Sequence, residues 1–201
     1  MRIVVVGGNG SIGSRYVCIL KILGHEVVVW DLPAALIDPI PEADKYIIAT
    51  PTDTHFDWCK KLIEKNATFL CEKPLSKNPE ECQKLASYTN GFMVNNYRFL
   101  PKLWHIDHTP DIYYNYFKTG KDGLLWDCCQ LIALDPNAKL ANNSALWRLW
   151  IDGEEIPYRD LENGYVGMIH TFLEDRCERL WDLRFAEHVT RLVIERIEKE
   201  S

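Results

Sequence analysis

The chain has 201 residues, 47% of them apolar, and a formal charge of -6. That apolar content can bury a real core, which excludes a disordered chain, and the length allows one large domain or two small ones. The acidic balance, with no Lys/Arg run longer than a pair, leaves no basic face for a phosphate backbone and excludes nucleic acid as a partner.

Arg2 to Val6 is mostly β-branched and apolar without alternation, the pattern of a strand buried on both faces of a parallel sheet. The run is too short for the apolar region of a signal peptide or for a membrane span, which predicts a cytoplasmic protein that engages no membrane. Gly8, Gly10 and Gly13 then give G-x-G-x-x-G, and Ile12, Tyr16, Ile19 and Leu20 follow at helical spacing. Gly24-His25 ends that helix, and EVVVWD reads as a second buried strand stopping at Asp31. A glycine triplet with a strand before it, a helix after it and an acidic residue closing the next strand is the fingerprint of a dinucleotide site.

Each part of the fingerprint has a physical task. Gly8 permits the tight turn, Gly10 lets the backbone approach a pyrophosphate, and Gly13 lets the helix pack closely on the strand. The helix N-terminus offers unpaired N–H groups to the phosphates, so Gly8, Asn9, Gly10, Ser11, Ile12 and Gly13 form the candidate cofactor loop. Asp31 would accept from both adenine-ribose hydroxyls. A 2'-phosphate would meet its carboxylate, so NAD is expected rather than NADP.

The segment LPAALIDPIPEAD holds three prolines and leaves room for little more than a helical turn before the strand KYIIAT. Thr50-Pro51-Thr52-Asp53 opens a helix carrying Phe56, Trp58, Cys59, Leu62 and Ile63. ATFLCE is a fourth strand, NPEECQKLASYT a further helix, and GFMVNN follows it. This alternation of strand and helix from 1 to about 96 predicts an α/β fold with a Rossmann-type, doubly wound parallel sheet. The seven cysteines are odd in number and scattered with no C-x-x-C pair, which predicts reduced, mostly buried thiols and no metal site.

The glycine fingerprint, ATPTDTH, CEKP and NNYRFLP, in that order, resemble the Gfo/Idh/MocA oxidoreductases, which include glucose-fructose oxidoreductase and inositol dehydrogenase. The match is specific over residues 1 to 101 and looser over 123 to 201. The resemblance implies a nicotinamide-dependent enzyme that moves a hydride to or from a sugar, cyclitol or similar hydroxyl carbon. It also implies that Lys73 of Glu72-Lys73-Pro74 sits by the nicotinamide and the reacting hydroxyl, with Pro74 shaping the turn. Glu72, ending a buried strand, could hold the Lys73 ammonium in place. Thr50 and Pro51 correspond to the loop along the cofactor, and His55 matches the histidine of the family's T-P-x-x-x-H pattern. Asn96, Tyr97 and Arg98 match the segment at the domain junction, where polar side chains reach substrate; Arg98 could equally be a structural ion-pair partner.

The family's second catalytic element, a helix carrying an aspartate and then a histidine, is altered. In GLLWDCCQLIALD the aspartate place is Asp127, but Gln130 and Leu131 stand where the histidine belongs. Glutamine cannot move a proton, although it can hydrogen-bond a hydroxyl. Lys73, Asp127 and Gln130 are therefore the expected catalytic set, with Lys73 as the acid-base group and the other two positioning substrate. His105, His108 and His170 are read as loop or packing residues.

The second half is short for this family. DIYYNYFKTG and SALWRLWIDGEEIPYRD are the convincing strands, the latter a hairpin around Asp152-Gly153. YVGMIHTFLEDR and DLRFAEHVTRLVIERIEKE read as two amphipathic helices that resemble the family's closing helices. Trp104, Trp126, Trp147 and Trp150 are read first as core packing, with a substrate pocket or dimer interface as other uses. The expected organisation is an NAD-binding domain over 1–100 and a smaller α+β domain over 101–201 for substrate and dimerisation. The expected protein is an NAD-dependent oxidoreductase for a small sugar-like or polyol-like substrate, a homodimer. The other reading is a non-catalytic NAD-binding protein, a sensor or subunit partner that has lost the histidine.

Overall fold

A computed structural model describes residues 1–31, 39–104, 106–116, 128–142 and 148–199. The first strand, β1 (Arg2–Val6), is the β-branched run expected there, and α1 (Ser11–Ile22) follows the glycine loop. Gly13, Tyr16 and Leu20 form its buried stripe at helical spacing. Next come β2 (Glu26–Trp30), β3 (Lys45–Ile48), α2 (His55–Glu64), β4 (Phe69–Cys71), α3 (Pro79–Leu85) and β5 (Gly91–Met93). The start of α3 is written in the sequence: Asn78 accepts from the Glu80 N–H at 2.9 Å and Pro79 occupies the first turn. Of the proline-rich connection before β3, residues 39–44 carry no regular element and 32–38 lie outside the described residues.

After β5 the chain makes two 3-10 turns, Asn96–Phe99 and Pro101–Trp104, then β6 (Ile112–Tyr116) and α4 (Cys129–Leu134). It continues through β7 (Lys139–Asn142), β8 (Arg148–Ile151), β9 (Glu154–Glu155), α5 (Tyr158–Leu173), β10 (Trp181–Asp182) and α6 (Leu183–Lys199). The β8–β9 hairpin turns on Asp152 and Gly153, both at positive φ (51° and 77°), which is the tight turn that an Asp-Gly pair favours.

The first sheet is six-stranded in the order β10-β5-β4-β3-β1-β2, parallel throughout except for the antiparallel β10. Alternate residues feed two cores. Ile3, Val5, Ile47, Leu70 and Phe92 face α1 and α5, while Val4, Val6, Ile48, Cys71 and Met93 face the core built by α2, α3 and α6. The second sheet has four strands, β7-β6-β8-β9, and its Ile112, Tyr114, Leu149 and Ile151 continue the latter core.

Three features differ from the expectation. β2 is the outermost strand and only partly buried, with Val29 37% exposed, because an edge strand has a neighbour on one side only. β7 and β10 were not foreseen; KLAN holds no β-branched residue and β10 is two residues long. In space the first sheet draws on both sides of residue 100, since β10, α5 and α6 all build on it. A buried lysine helps to hold α5 there: Lys45 at the start of β3, 5% exposed, reaches the Phe172 and Leu173 carbonyls at the end of the helix and the Asp175 carboxylate.

Five of the seven cysteines, Cys59, Cys71, Cys82, Cys128 and Cys129, are buried, and all seven are free thiols. Burial pushes the Cys82 thiol up to about 11. Among the described residues no helix is long and apolar enough to cross a membrane.

Candidate active site

The chain reverses direction of growth between β1 and β3: β2 lies to one side of this pair, β4 and β5 to the other. The crevice at the carboxyl ends of such a pair is where open parallel sheets take ligands. Its walls here are the glycine loop after β1 and the Ala49–Thr54 loop after β3. Gly7 sits at φ +79°, and a Cβ on it would lie 2.7 Å from the Ala49 carbonyl oxygen. The residue that the tight turn needs is therefore Gly7, a correction to the expectation of Gly8, which instead packs closely on Val29 of β2. Gly13 has the expected role, since a Cβ there would fall 2.1 Å from the Gly7 carbonyl oxygen. Gly10 differs from these: its Cβ would meet only the Gly7 oxygen at 3.3 Å, so packing does not demand a glycine.

Gly10 lines a cavity of 280 Å³ with Trp30, Asp31, Thr50, Pro51 and Trp58. Gly10 also precedes α1, whose N-terminus has no side-chain cap. An exposed glycine backbone, uncapped helix N–H groups and a carboxylate at the end of β2 form a donor and acceptor set that fits a dinucleotide. Asp31 also organises the loop itself, its carboxylate accepting from the Asn9 N–H at 2.9 Å.

A second cavity of 310 Å³ shares Ala49, Thr50 and Pro51 with the first and adds Ile12, His55, Glu72, Lys73 and Tyr165. His55, 1% exposed, bridges the loop after β3 and the turn after β4: Nδ1 lies 2.8 Å from the Pro74 carbonyl and Nε2 2.9 Å from that of Thr50. Burial lowers its pKa below the ordinary value, against the upward pull of the two carbonyls. Glu72, 6% exposed, accepts from the buried Tyr16 hydroxyl and, at 3.1 Å, from the Lys73 N–H. It thus fixes the backbone at Lys73, whose peptide to Pro74 is cis. Burial raises the Tyr16 pKa well above the phenol range, and the Glu72 charge adds to this, so Tyr16 stays a donor.

A third cavity, 220 Å³, shares Lys73 and Tyr165 with the second and is lined further by Arg15, Asn96, Tyr97, Gln130, Tyr158 and Glu162. Gln130, 1% exposed, donates to the Asn96 side-chain oxygen at 2.8 Å and accepts from the Tyr97 N–H at 3.2 Å. Its amide thus holds the junction segment from both ends and still lines the cavity with Lys73, leaving a second N–H.

Arg98 is exposed and lines none of these cavities. Asp127, His105, Trp126 and Trp147 lie outside the described residues. His108 stands at the hairpin, 3.3 Å from Asp152, and His170 pairs with Glu174 at 3.1 Å; neither lines the cavities. Trp104 is 53% exposed and Trp150 packs on Tyr113, and neither lines these cavities.

Sequence reading missed Gly7, Arg15, Tyr16 and Tyr165. Tyr165 reaches the site because α5 approaches the junction segment closely, a Cβ on Gly164 lying 2.5 Å from the Asn96 carbonyl oxygen. The signal was present in the sequence: Gly164 and Gly167, three apart within a helical pattern, mark a close backbone approach.

The profile of a family described as an oxidoreductase family with an NAD-binding Rossmann fold matches residues 21–91. The rhizopine catabolism protein MocA of Rhizobium meliloti is 30% identical over 89 residues, covering 42% of this chain and 28% of that protein. A myo-inositol dehydrogenase from Corynebacterium glutamicum has a similar fold, with a TM-score of 0.73 at 12% identity over 98% of this chain and 96% of that one. The UDP-N-acetylglucosamine 3-dehydrogenase GnnA from Acidithiobacillus ferrooxidans also scores 0.73, at 15% identity over 97% and 96%. The WlbA dehydrogenase from Thermus thermophilus, solved with NAD and UDP-GlcNAcA, scores 0.66 at 16% identity over 98% and 94%.

Proposed function

We propose that this chain, whose residues 21–91 match the profile of an NAD-binding oxidoreductase family, is a member of the Gfo/Idh/MocA oxidoreductases and an NAD-linked oxidoreductase acting on a sugar-like or polyol-like hydroxyl or keto carbon. The observation that carries this reading is the sharing of walls between the cavities. They run from Asp31, past Thr50 and Pro51, to Lys73, and on to Asn96 and Gln130. A dinucleotide laid along the first two would bring its nicotinamide end to Lys73. When bound, NAD supplies the hydride acceptor or donor.

The chain's residues supply the rest. The loop from Gly8 to Gly13 and Asp31 would hold the adenosine and pyrophosphate of a bound dinucleotide, and Thr50 and Pro51 would flank its other half. Lys73 Nζ takes the hydroxyl proton on oxidation and returns it on reduction. Glu72 fixes the Lys73 backbone, and His55 locks the Thr50 and Pro74 loops together. Gln130 acts through Asn96 and Tyr97, which present the substrate side. In the same reading residues 1–100 serve the cofactor, and 101–201, with Asn96 and Tyr97 at the junction, serve the substrate, in a cytoplasmic homodimer.

One observation favours the other reading, a non-catalytic NAD-binding protein: the side chain in the histidine place is tied down at both ends. Turnover separates the two. With NAD and a panel of polyols and aldoses, the wild type should show turnover that Lys73→Ala lowers by about a hundredfold or more, with NADH affinity nearly unchanged. No turnover with intact NADH binding would leave the sensor or partner reading.

A further inference from the structure

Lys73 and Tyr165 are the two residues that line both the cavity beside His55 and the cavity beside Gln130. They form the neck through which a substrate carbon would have to meet the nicotinamide. Lys73 comes from the turn after β4, and Tyr165 from α5, at the other end of the chain.

The setting of Tyr165 is fixed from several sides. It is 7% exposed, its ring meets that of Tyr16 edge-on at 5.8 Å, and the Arg15 guanidinium lies 4.9 Å from its centre. That guanidinium is held in turn by an ion pair with Glu162 at 3.1 Å. A phenol that keeps its proton offers one O–H donor, and Tyr165 lines the wall of both cavities.

We propose that Tyr165 is a catalytic residue, donating a hydrogen bond from its hydroxyl to the reacting oxygen of the substrate opposite Lys73. This rests on the oxidoreductase reading above. On oxidation the substrate C–H bond breaks and its hydrogen leaves with both electrons to the nicotinamide. The hydroxyl proton passes to Lys73 Nζ, and the C–O bond becomes a carbonyl. The proton leaves ahead of the hydride, so negative charge builds on the oxygen, and a fixed donor stabilises it. Tyr165 keeps its own proton throughout. Burial, with the Glu72 charge adding, holds its pKa well above the phenol range despite the opposing Arg15, which suits a donor and not a base.

The test is Tyr165→Phe, which keeps the ring and removes only the hydroxyl. Reduction of keto-inositol and D-fructose is followed with NADH and with NADH deuterated at the transferred position, alongside NADH affinity and thermal melting. The expected result is a kcat lowered by about a hundred- to a thousandfold, with a larger deuterium effect because hydride transfer has become slower, and unchanged NADH affinity and melting. A variant with wild-type kcat overturns the role of Tyr165 and leaves the oxidoreductase reading standing. Lost NADH binding or a lower melting point together with the lost rate makes Tyr165 structural and overturns the role as well. A wild type that binds NADH and reduces neither compound overturns both.

Discussion

His55 shows how one buried residue can tie two loops of a site together. Its two nitrogens face two carbonyl oxygens, yet a neutral imidazole can donate to only one of them. An imidazolium would satisfy both, but burial outweighs that gain and lowers the pKa. The unfolded chain takes up a proton near pH 6.5 while the folded protein resists it, so stability is full above that pH and falls as pH drops through it. Replacing His55 by Asn should lower stability overall and flatten this fall between about pH 7 and pH 5. Urea midpoints across that range check it, and parallel profiles for the two proteins would show that His55 is not the group responsible. The sequence located His55 through its T-P-x-x-x-H setting, but its Pro74 partner, nineteen residues on, is visible only in the fold. Glu72 carries the same lesson: the adjacent Lys73 suggested an ammonium partner, whereas the buried Tyr16 hydroxyl, fifty-six residues earlier, donates to its carboxylate.

At the scale of elements, α5 matters most for the site, because it carries Tyr165 and Glu162 against the junction segment and Arg15. Its position depends on Gly164, whose missing side chain admits the Asn96 carbonyl oxygen. Gly164→Ala would force backbone apart from backbone, so we expect a loss of about 1–3 kcal/mol in stability, by urea unfolding. Turnover should fall further than stability accounts for, because Tyr165 and Asn96 would separate. A variant as stable and as active as wild type would show that the close approach does not set the site. Long elements with clear periods, such as α1, α5 and α6, were legible in the sequence, as was the Asp-Gly hairpin. β7 and β10 were not, because strands this short are created by their neighbours: β7 by pairing with β6, and β10 by closing the sheet on β5.

For the whole molecule, a six-stranded sheet is completed by the last part of the chain. This brings the loop at Gly7, the turn at Lys73 and the helix at Tyr165 around adjoining cavities. The cofactor half of this arrangement was readable because the fingerprint is local, each glycine and Asp31 lying within one strand-helix-strand unit. The cavity beside Gln130 was not, because its lining residues come from segments that meet only when α5 folds back on α1. Binding of NAD at the switch point is the claim on which the function and the Tyr165 role both depend. The most direct measurement is a parallel titration with NADH and NADPH, following tryptophan emission, since Trp30 and Trp58 line the cavity beside Asp31. We expect saturable quenching with NADH at least about tenfold tighter than NADPH, a difference of ~1.4 kcal/mol, and a narrower gap in Asp31→Ala. Failure of both cofactors to bind, or equal affinity for the two, would contradict the account.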